Sequence, residues 1–329
     1  MDPAGPGLGD KPKAVINRRD SGDYARPEAI KAIPIKHWGR LIASIIVLIL
    51  FVALAYSFIK NPNVEWFTIR DWIFRKLVLR GVLVTIELTF IAMIIGMVGG
   101  TLLAVMRMSS NYVLRWLSWL YIWFFRGTPV YVQIVLWGNI GILYPRLFLG
   151  IPFTHFTFAE VNSSRIISVL VAAILALGLN EAAYAAELVR AGIISVEKGQ
   201  SEAAQSLGMS PSLTMRRIVL PQSMRVIIPP MGNEAISMLK TTSLVAVIAG
   251  GDLFTKISIA YSQNFKIFPL LIVACIWYIF LTTLFTIGQH YLEAYFGRGF
   301  GVHEAESAEK RALRRLQQKG GDVNEPGNF

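Results

Sequence analysis

The sequence predicts an all-α membrane protein of about six transmembrane helices. Three observations carry that prediction. Only 16% of the 329 residues are charged, against about 25% in ordinary soluble domains. The apolar residues gather into runs long enough to cross a hydrocarbon core about 30 Å thick. Lys and Arg concentrate on one set of connecting segments, as membrane topology requires. The net charge of +11 therefore reflects topology, and nucleic acid is not an expected partner.

Residues 1–40 hold Pro3, Pro6, Pro12, Pro27 and Pro34 with eight Lys/Arg, the composition of a flexible cytoplasmic tail. The first span, LIASIIVLILFVALAYSFI at 41–59, would be about 28 Å long as a helix. Its Ala53-Leu54-Ala55 resembles a signal-peptidase site. The polar tail before it is too long for a signal n-region, so a retained anchor is expected. Further apolar regions lie at 82–106, 113–143, 165–190, 222–250 and 267–292. The 113–143 region is too long for one straight span and too short for two, and Gly127 and Pro129 predict an elbow within it. With the N-terminus inside, cytoplasmic segments hold 20 Lys/Arg and external ones nine. Both termini and the 191–221 loop are thus expected in the cytoplasm, with 60–80 lying along the outer interface. Glu306 and Lys310, at i,i+4, predict a short charged helix within 303–318. Cys275 is the one cysteine, and the four histidines show no ligand spacing, so neither a disulfide nor a metal site is expected.

Between two apolar regions lies a polar stretch, EAAQSLGMSPSLTMRRIVLP, at 202–221. Gln200 to Leu207 are good helix formers, with Glu202 in the first turn where the dipole favours an anion. Gly208 supplies a left-handed stop, and Ser210-Pro211 suits the N-cap and first position of a second helix. Leu220-Pro221 predicts a further break. The alanines leave little bulk, which suits docking into a groove of another protein. An amphipathic connector lying on the membrane surface fits these residues as well.

The complete pattern is more specific. Glu202, Ala203, Ala204, Gly208, Ile218, Leu220 and Pro221 match EAA-x3-G-x9-I-x-L-P, and the chain resembles the permease subunits of ABC importers. The second Glu-Ala-Ala, at Glu181, fails the pattern, because Glu187 stands where the glycine belongs. FFRGTPVYVQ (124–133), AYAAELVRAGI (183–193), GQSEAA (199–204), LPQSMRVIIPP (220–230) and LKTTSLVAVI (239–248) are similar to the polar amino-acid uptake branch. The resemblance spans 80–292 and departs from that branch at Glu181 (commonly small), Glu197 (often Pro) and Thr241 (usually Asp). It implies a five-helix type I permease core at 80–292, with 41–59 as an extra N-terminal helix and 293–329 as a charged cytoplasmic tail. It also implies that the seven signature residues, within a coupling segment at 199–221, contact a separate ATPase subunit. The implied partners are an ATPase dimer, a second permease subunit, an extracytoplasmic solute-binding protein and lipid, all at a bacterial inner membrane. No G-x-x-x-x-G-K-[ST] phosphate loop occurs in the chain. ATP and Mg would thus belong to the partner, and the chain is expected to be a transport subunit without enzymatic chemistry.

Ionisable residues within spans are costly and default to functional hypotheses. Asn180, Tyr184 and Glu187 share one face of the fourth span by their spacing, beside Glu181, and Asn233, Ser237 and Lys240 share a face of the fifth. Arg126 interrupts the third, and Glu87 and Glu234 add two further carboxylates. Of these, Arg126, Asn180, Glu181, Tyr184, Glu187, Asn233, Glu234 and Lys240 are the candidate solute pathway, and interhelical bracing is the structural alternative for each. Gly96 and Gly100 form G-x-x-x-G and predict close helix packing. An ion-coupled secondary transporter would show repeated halves with broken helices, and no such repeat is visible. A membrane enzyme would need a catalytic set, and none is present.

Overall fold

Residues 38–150 and 157–296 are described by a computed structural model. The tail at 1–37, the predicted helix at 303–318 and the rest of the C-terminal tail lie outside these residues. The chain divides into two units, 1–60 and 61–329. The first contributes α1 (Trp38–Lys60), 23 largely apolar residues that extend the expected anchor at both ends.

The second unit begins with a 3-10 turn (Pro62–Val64) and α2 (Trp66–Trp72). The long α3 (Lys76–Met108) follows, then α4 (Tyr112–Gly127), α5 (Val130–Gly138) and α6 (Ile140–Leu143). An antiparallel hairpin pairs β1 (Arg146–Gly150) with β2 (Thr157–Asn162). The rest is helical: α7 (Ser163–Ile166), α8 (Val169–Ile194), α9 (Lys198–Ser206), α10 (Pro211–Thr214), α11 (Leu220–Thr241), α12 (Leu253–Asn264) and α13 (Ile267–Phe296). Among the described residues, α1, α3, α8 and α13 are long and apolar enough to cross a membrane. A fifth span results if the segment Pro211–Ile248 and α12, bent by 45°, are taken together as one broken span.

The structure departs from the six expected spans in the third region. It is broken at Thr128 and Pro129, both extended, into α4 of about 24 Å and α5 of about 14 Å. Neither piece alone matches a hydrocarbon core of about 30 Å. The elbow expected from Gly127 and Pro129 is thus a complete break. The hairpin at 146–162, predicted only as an external segment, is the one departure from all-helical structure among the described residues.

α3 and α8 make the most extensive helix contact in the chain. Lipid tails supply no hydrophobic drive for helices to associate, so close van der Waals packing must hold them. Small residues make that approach possible. A Cβ on Gly100 would lie 2.5 Å from Ala185 Cβ, 2.9 Å from Ala186 N and 3.0 Å from Ala182 O, and one on Gly99 would lie 3.0 Å from Ala182 Cβ. A Cβ on Gly178 of α8 would meet Ile95 Cγ2 at 2.8 Å. Ala173, Ala176, Ala182, Ala185 and Ala186 of α8 are all buried.

A second core joins α2, α3, α12 and α13 through Val64, Ile69, Val82, Leu253, Ile257 and Leu270. Polar ties reinforce it. Leu253 N–H donates to Thr85 Oγ1 (3.0 Å), and Trp277 Nε1–H donates to Ile73 O (2.8 Å), each occupying a backbone group at a helix end. Lys266 Nζ bridges Glu65 Oε2 (2.6 Å) and Thr68 Oγ1 (3.1 Å). The hydrogen bond from Lys266 holds the Glu65 carboxyl below its ordinary pKa.

The seam between α3 and α8 yields a direct test. In Gly100→Leu the new side chain meets backbone atoms of Ala182 and Ala186, which cannot rotate away. The expected loss is about 1–3 kcal/mol, read as a lower Tm of the detergent-solubilised protein, and an unchanged Tm would contradict the seam.

Candidate functional site: a broken-helix cavity and a surface coupling segment

A helix broken at membrane depth frees backbone carbonyls that lipid cannot satisfy. Here side chains satisfy them. Gln133, one turn into α5, donates from Nε2 to Phe125 O (2.9 Å), Thr128 O (3.1 Å) and Thr128 Oγ1 (2.7 Å). Asn180 of α8 adds a second donor to Phe125 O (3.0 Å) and one to Gln133 Oε1 (3.2 Å). Thr128 Oγ1 donates back to Phe124 O (2.9 Å). Asn180 thus ties α8 to the break.

The break walls a cavity of about 430 Å³ between α4, α5, α8 and α11, within the range of about 300–1,000 Å³ usual for small-molecule sites. Of the eight pathway candidates, Arg126, Asn180, Glu181, Tyr184 and Glu234 line it. The guanidinium of Arg126 lies 5.1 Å from the centre of the Tyr184 ring, a cation–π distance. Arg126, Gly127 and Tyr184 also border an adjoining cavity of about 530 Å³, whose wall includes Arg107, Trp123 and Glu187. Glu187 is paired there with Arg190 (2.7 Å). Asn180, Tyr184 and Glu187, expected on one face of α8, are therefore divided between two cavities, with Tyr184 shared. Asn233 and Lys240 are exposed on α11 and line neither cavity. Ser237 and Thr241 of the same helix line the first.

The 199–221 segment lies apart from these cavities. α9 begins at Lys198, earlier than expected, because the extended backbone of Glu197 (φ −57°, ψ 132°) already starts it. Glu202 therefore falls in the second turn, not the first. Gly208 has φ +79°, the left-handed conformation that glycine adopts without steric cost. Around it Gly208 N–H donates to Gln205 O (2.9 Å) and Met209 N–H to Ala204 O (3.1 Å), the two bonds of a Schellman stop. Ser210 Oγ accepts from Leu213 N–H (3.4 Å), and Pro211 takes the first helical position of α10.

The break expected at Leu220-Pro221 does not occur. A π-helical turn (Met215–Val219) leads directly into α11, and Leu220 N–H reaches Met215 O. Proline cannot donate to the carbonyl four residues back, and its ring would crowd that carbonyl. Widening the preceding turn to the i→i+5 pattern keeps the chain helical past it. Glu202, Ala203 and Leu207 are exposed, whereas Ala204 is buried within the chain's own fold.

Sequence reasoning passed over Gln133 and Thr128 as break residues, and it noted Ser237 and Thr241 in the fifth span without counting them in the pathway. Gln133 and Thr128 stood in the FFRGTPVYVQ segment, but nothing in their spacing reveals a bond to carbonyls of a neighbouring helix.

The fold and the cavities define a multi-pass membrane transport component. Residues 96–296 match the family described as "Binding-protein-dependent transport system inner membrane component", and the chain belongs to that family. It is 44% identical over 316 residues to an arginine transport system permease protein of Corynebacterium glutamicum, covering 95% of this chain and 96% of that one. It is 36% identical to an L-cystine transport system permease protein of Bacillus subtilis, covering 65% of this chain and 83% of that one. Among solved structures, an amino acid ABC transporter crystallised with histidines superposes with a TM-score of 0.56 at 35% identity, over 67% of this chain and 94% of that one. An inward-facing methionine ABC transporter shares the fold at 18% identity and a TM-score of 0.50, over 67% and 96% of the two chains. The helical core is thus an ABC-importer permease core.

Gln133→Leu removes the donors that occupy the Phe125 and Thr128 carbonyls. Each orphaned polar group costs about 1–3 kcal/mol, so the variant should unfold in detergent at a lower temperature than the native protein. Unchanged melting would contradict the bracing role.

Proposed function

We propose that this chain is the permease of an ATP-driven importer for a polar amino acid, worked by a separate ATPase seated on its 202–221 segment. The observation that carries the coupling is the geometry of that segment. A short helix, a glycine stop and a second capped helix present Glu202, Ala203 and Leu207 outward. The buried Ala204 and the continuous π turn join the same segment rigidly to α11. A push on α9 would therefore cross the Gly208 turn to α10 and travel along the continuous helix to the Glu234 wall of the cavity. In this reading Glu202, Ala203 and Gly208 form the contact, while Ala204, Ile218, Leu220 and Pro221 transmit it.

The amino-acid class is supported by the names of the similar permeases, which share an amino-acid cargo while differing in side chain. The positive-charge count supports cytoplasmic termini, with α9 and α10 on the cytoplasmic side as well. The core would run from α3 to α13, with α1 as an added anchor and the tails in the cytoplasm. One core supplies one coupling segment, so two permease cores, two ATPase subunits and an extracytoplasmic binding protein would complete the machine. ATP and Mg would be bound by the ATPase.

Gly208→Val tests this arrangement. A β-branched side chain at φ +79° is strained, so the Schellman stop should fail and α9 should lose its presentation. The expected outcome is insertion near the native level, with ATP-driven uptake in proteoliposomes lowered by about tenfold or more, a barrier increase of about 1.4 kcal/mol. Native uptake by this variant would remove the coupling assignment.

A further inference from the structure

Glu181 stands at the midpoint of α8, 3% exposed, and its Oε1 has no hydrogen-bond partner. A carboxyl left so at membrane depth is costly and has no structural use that offsets it. Its seat is built into the α3–α8 seam. A Cβ on Gly96 would lie 2.8 Å from Glu181 Cβ and closer still to its Cγ, so the bare backbone at position 96 is what admits this side chain. Glu181 is also one of the residues that line the 430 Å³ cavity.

The charges facing that cavity are few. Arg126, Glu181 and Glu234 line it. Glu187 is paired with Arg190 in the adjoining cavity, and Lys240 lines neither. No ion pair joins Arg126, Glu181 or Glu234 to one another or to any other described residue. The cavity thus offers two carboxyls and one guanidinium. An amino acid with a basic side chain carries the complement, two cationic groups and one carboxylate. A neutral amino acid would leave one buried carboxyl without a counter-charge, and an acidic one would add a repulsion.

We propose that Glu181 is a specificity-determining residue that makes this cavity a subsite for a cationic amino acid, pairing with its basic side chain. The proposal rests on the reading of the chain as an amino-acid permease. Arg126 holds the solute's carboxylate, and Glu234 and Glu181 divide its two cationic groups.

The test uses the assembled permease–ATPase complex without a binding protein, titrated with arginine and with citrulline, its neutral isostere. Arginine should bind at least about tenfold more tightly, the scale of one charge-assisted hydrogen bond. Glu181→Gln should erase that preference while citrulline affinity changes little, and Glu181→Asp should keep it. Equal affinity for the two solutes in the native complex, or no measurable binding of arginine, overturns the proposal without recourse to any variant. Full preference for arginine in Glu181→Gln also overturns it. ATP-driven uptake by the complete system separates this failure from that of the parent reading. Carriage of citrulline or glutamine as efficiently as arginine sinks the Glu181 assignment alone, whereas absence of any amino-acid uptake sinks both.

Discussion

The close approach of α3 and α8 is the constraint on which the rest of this core depends. In a bilayer, two helices gain little by hiding apolar surface from lipid, so they stay together only where their surfaces interlock. Gly99 and Gly100 against Ala182, Ala185 and Ala186 provide that interlock. Once α8 is held there, its other face supplies Asn180 to the broken helix and Tyr184 to the Arg126 guanidinium. The same seam, one turn along at Gly96, admits the buried carboxyl of Glu181. A single line of missing side chains therefore determines both the packing and the polarity of the cavity.

The break between α4 and α5 is the second device. A continuous helix would close the space that Gly127, Thr128 and Pro129 open. The cost is a set of freed carbonyls, which Gln133, Asn180 and Thr128 satisfy. Broken helices of this kind occur where backbone is buried in protein or lines a polar space.

What was legible in the sequence was governed by local chemistry. Gly96 and Gly100, Gly127 with Pro129, and Gly208 with Ser210-Pro211 each act through backbone conformation or the lack of a side chain, and each does in the structure what its residue type dictates. The failures depend on partners distant in sequence or on helical register. Pro221 reads as a break because proline lacks a donor, yet a π turn upstream accommodates it. Spacing put Asn233, Ser237 and Lys240 on a common helix face, but of the three only Ser237 lines the cavity. Gln133 looks like an isolated polar residue until its contact with Asn180, 47 positions away, is known. The hairpin at 146–162 lies in a connecting segment whose alternation is too brief to reveal a strand.

Together these features describe a cavity whose α11 side continues through a π turn into the exposed 199–221 segment, the seat proposed for a separate ATPase. That coupling is tested most directly by solute uptake into sealed vesicles that contain the permease with its binding protein, with and without the ATPase and ATP. The expected result is accumulation only when both the ATPase and ATP are present. Accumulation by the permease alone, driven by an ion gradient, would contradict it.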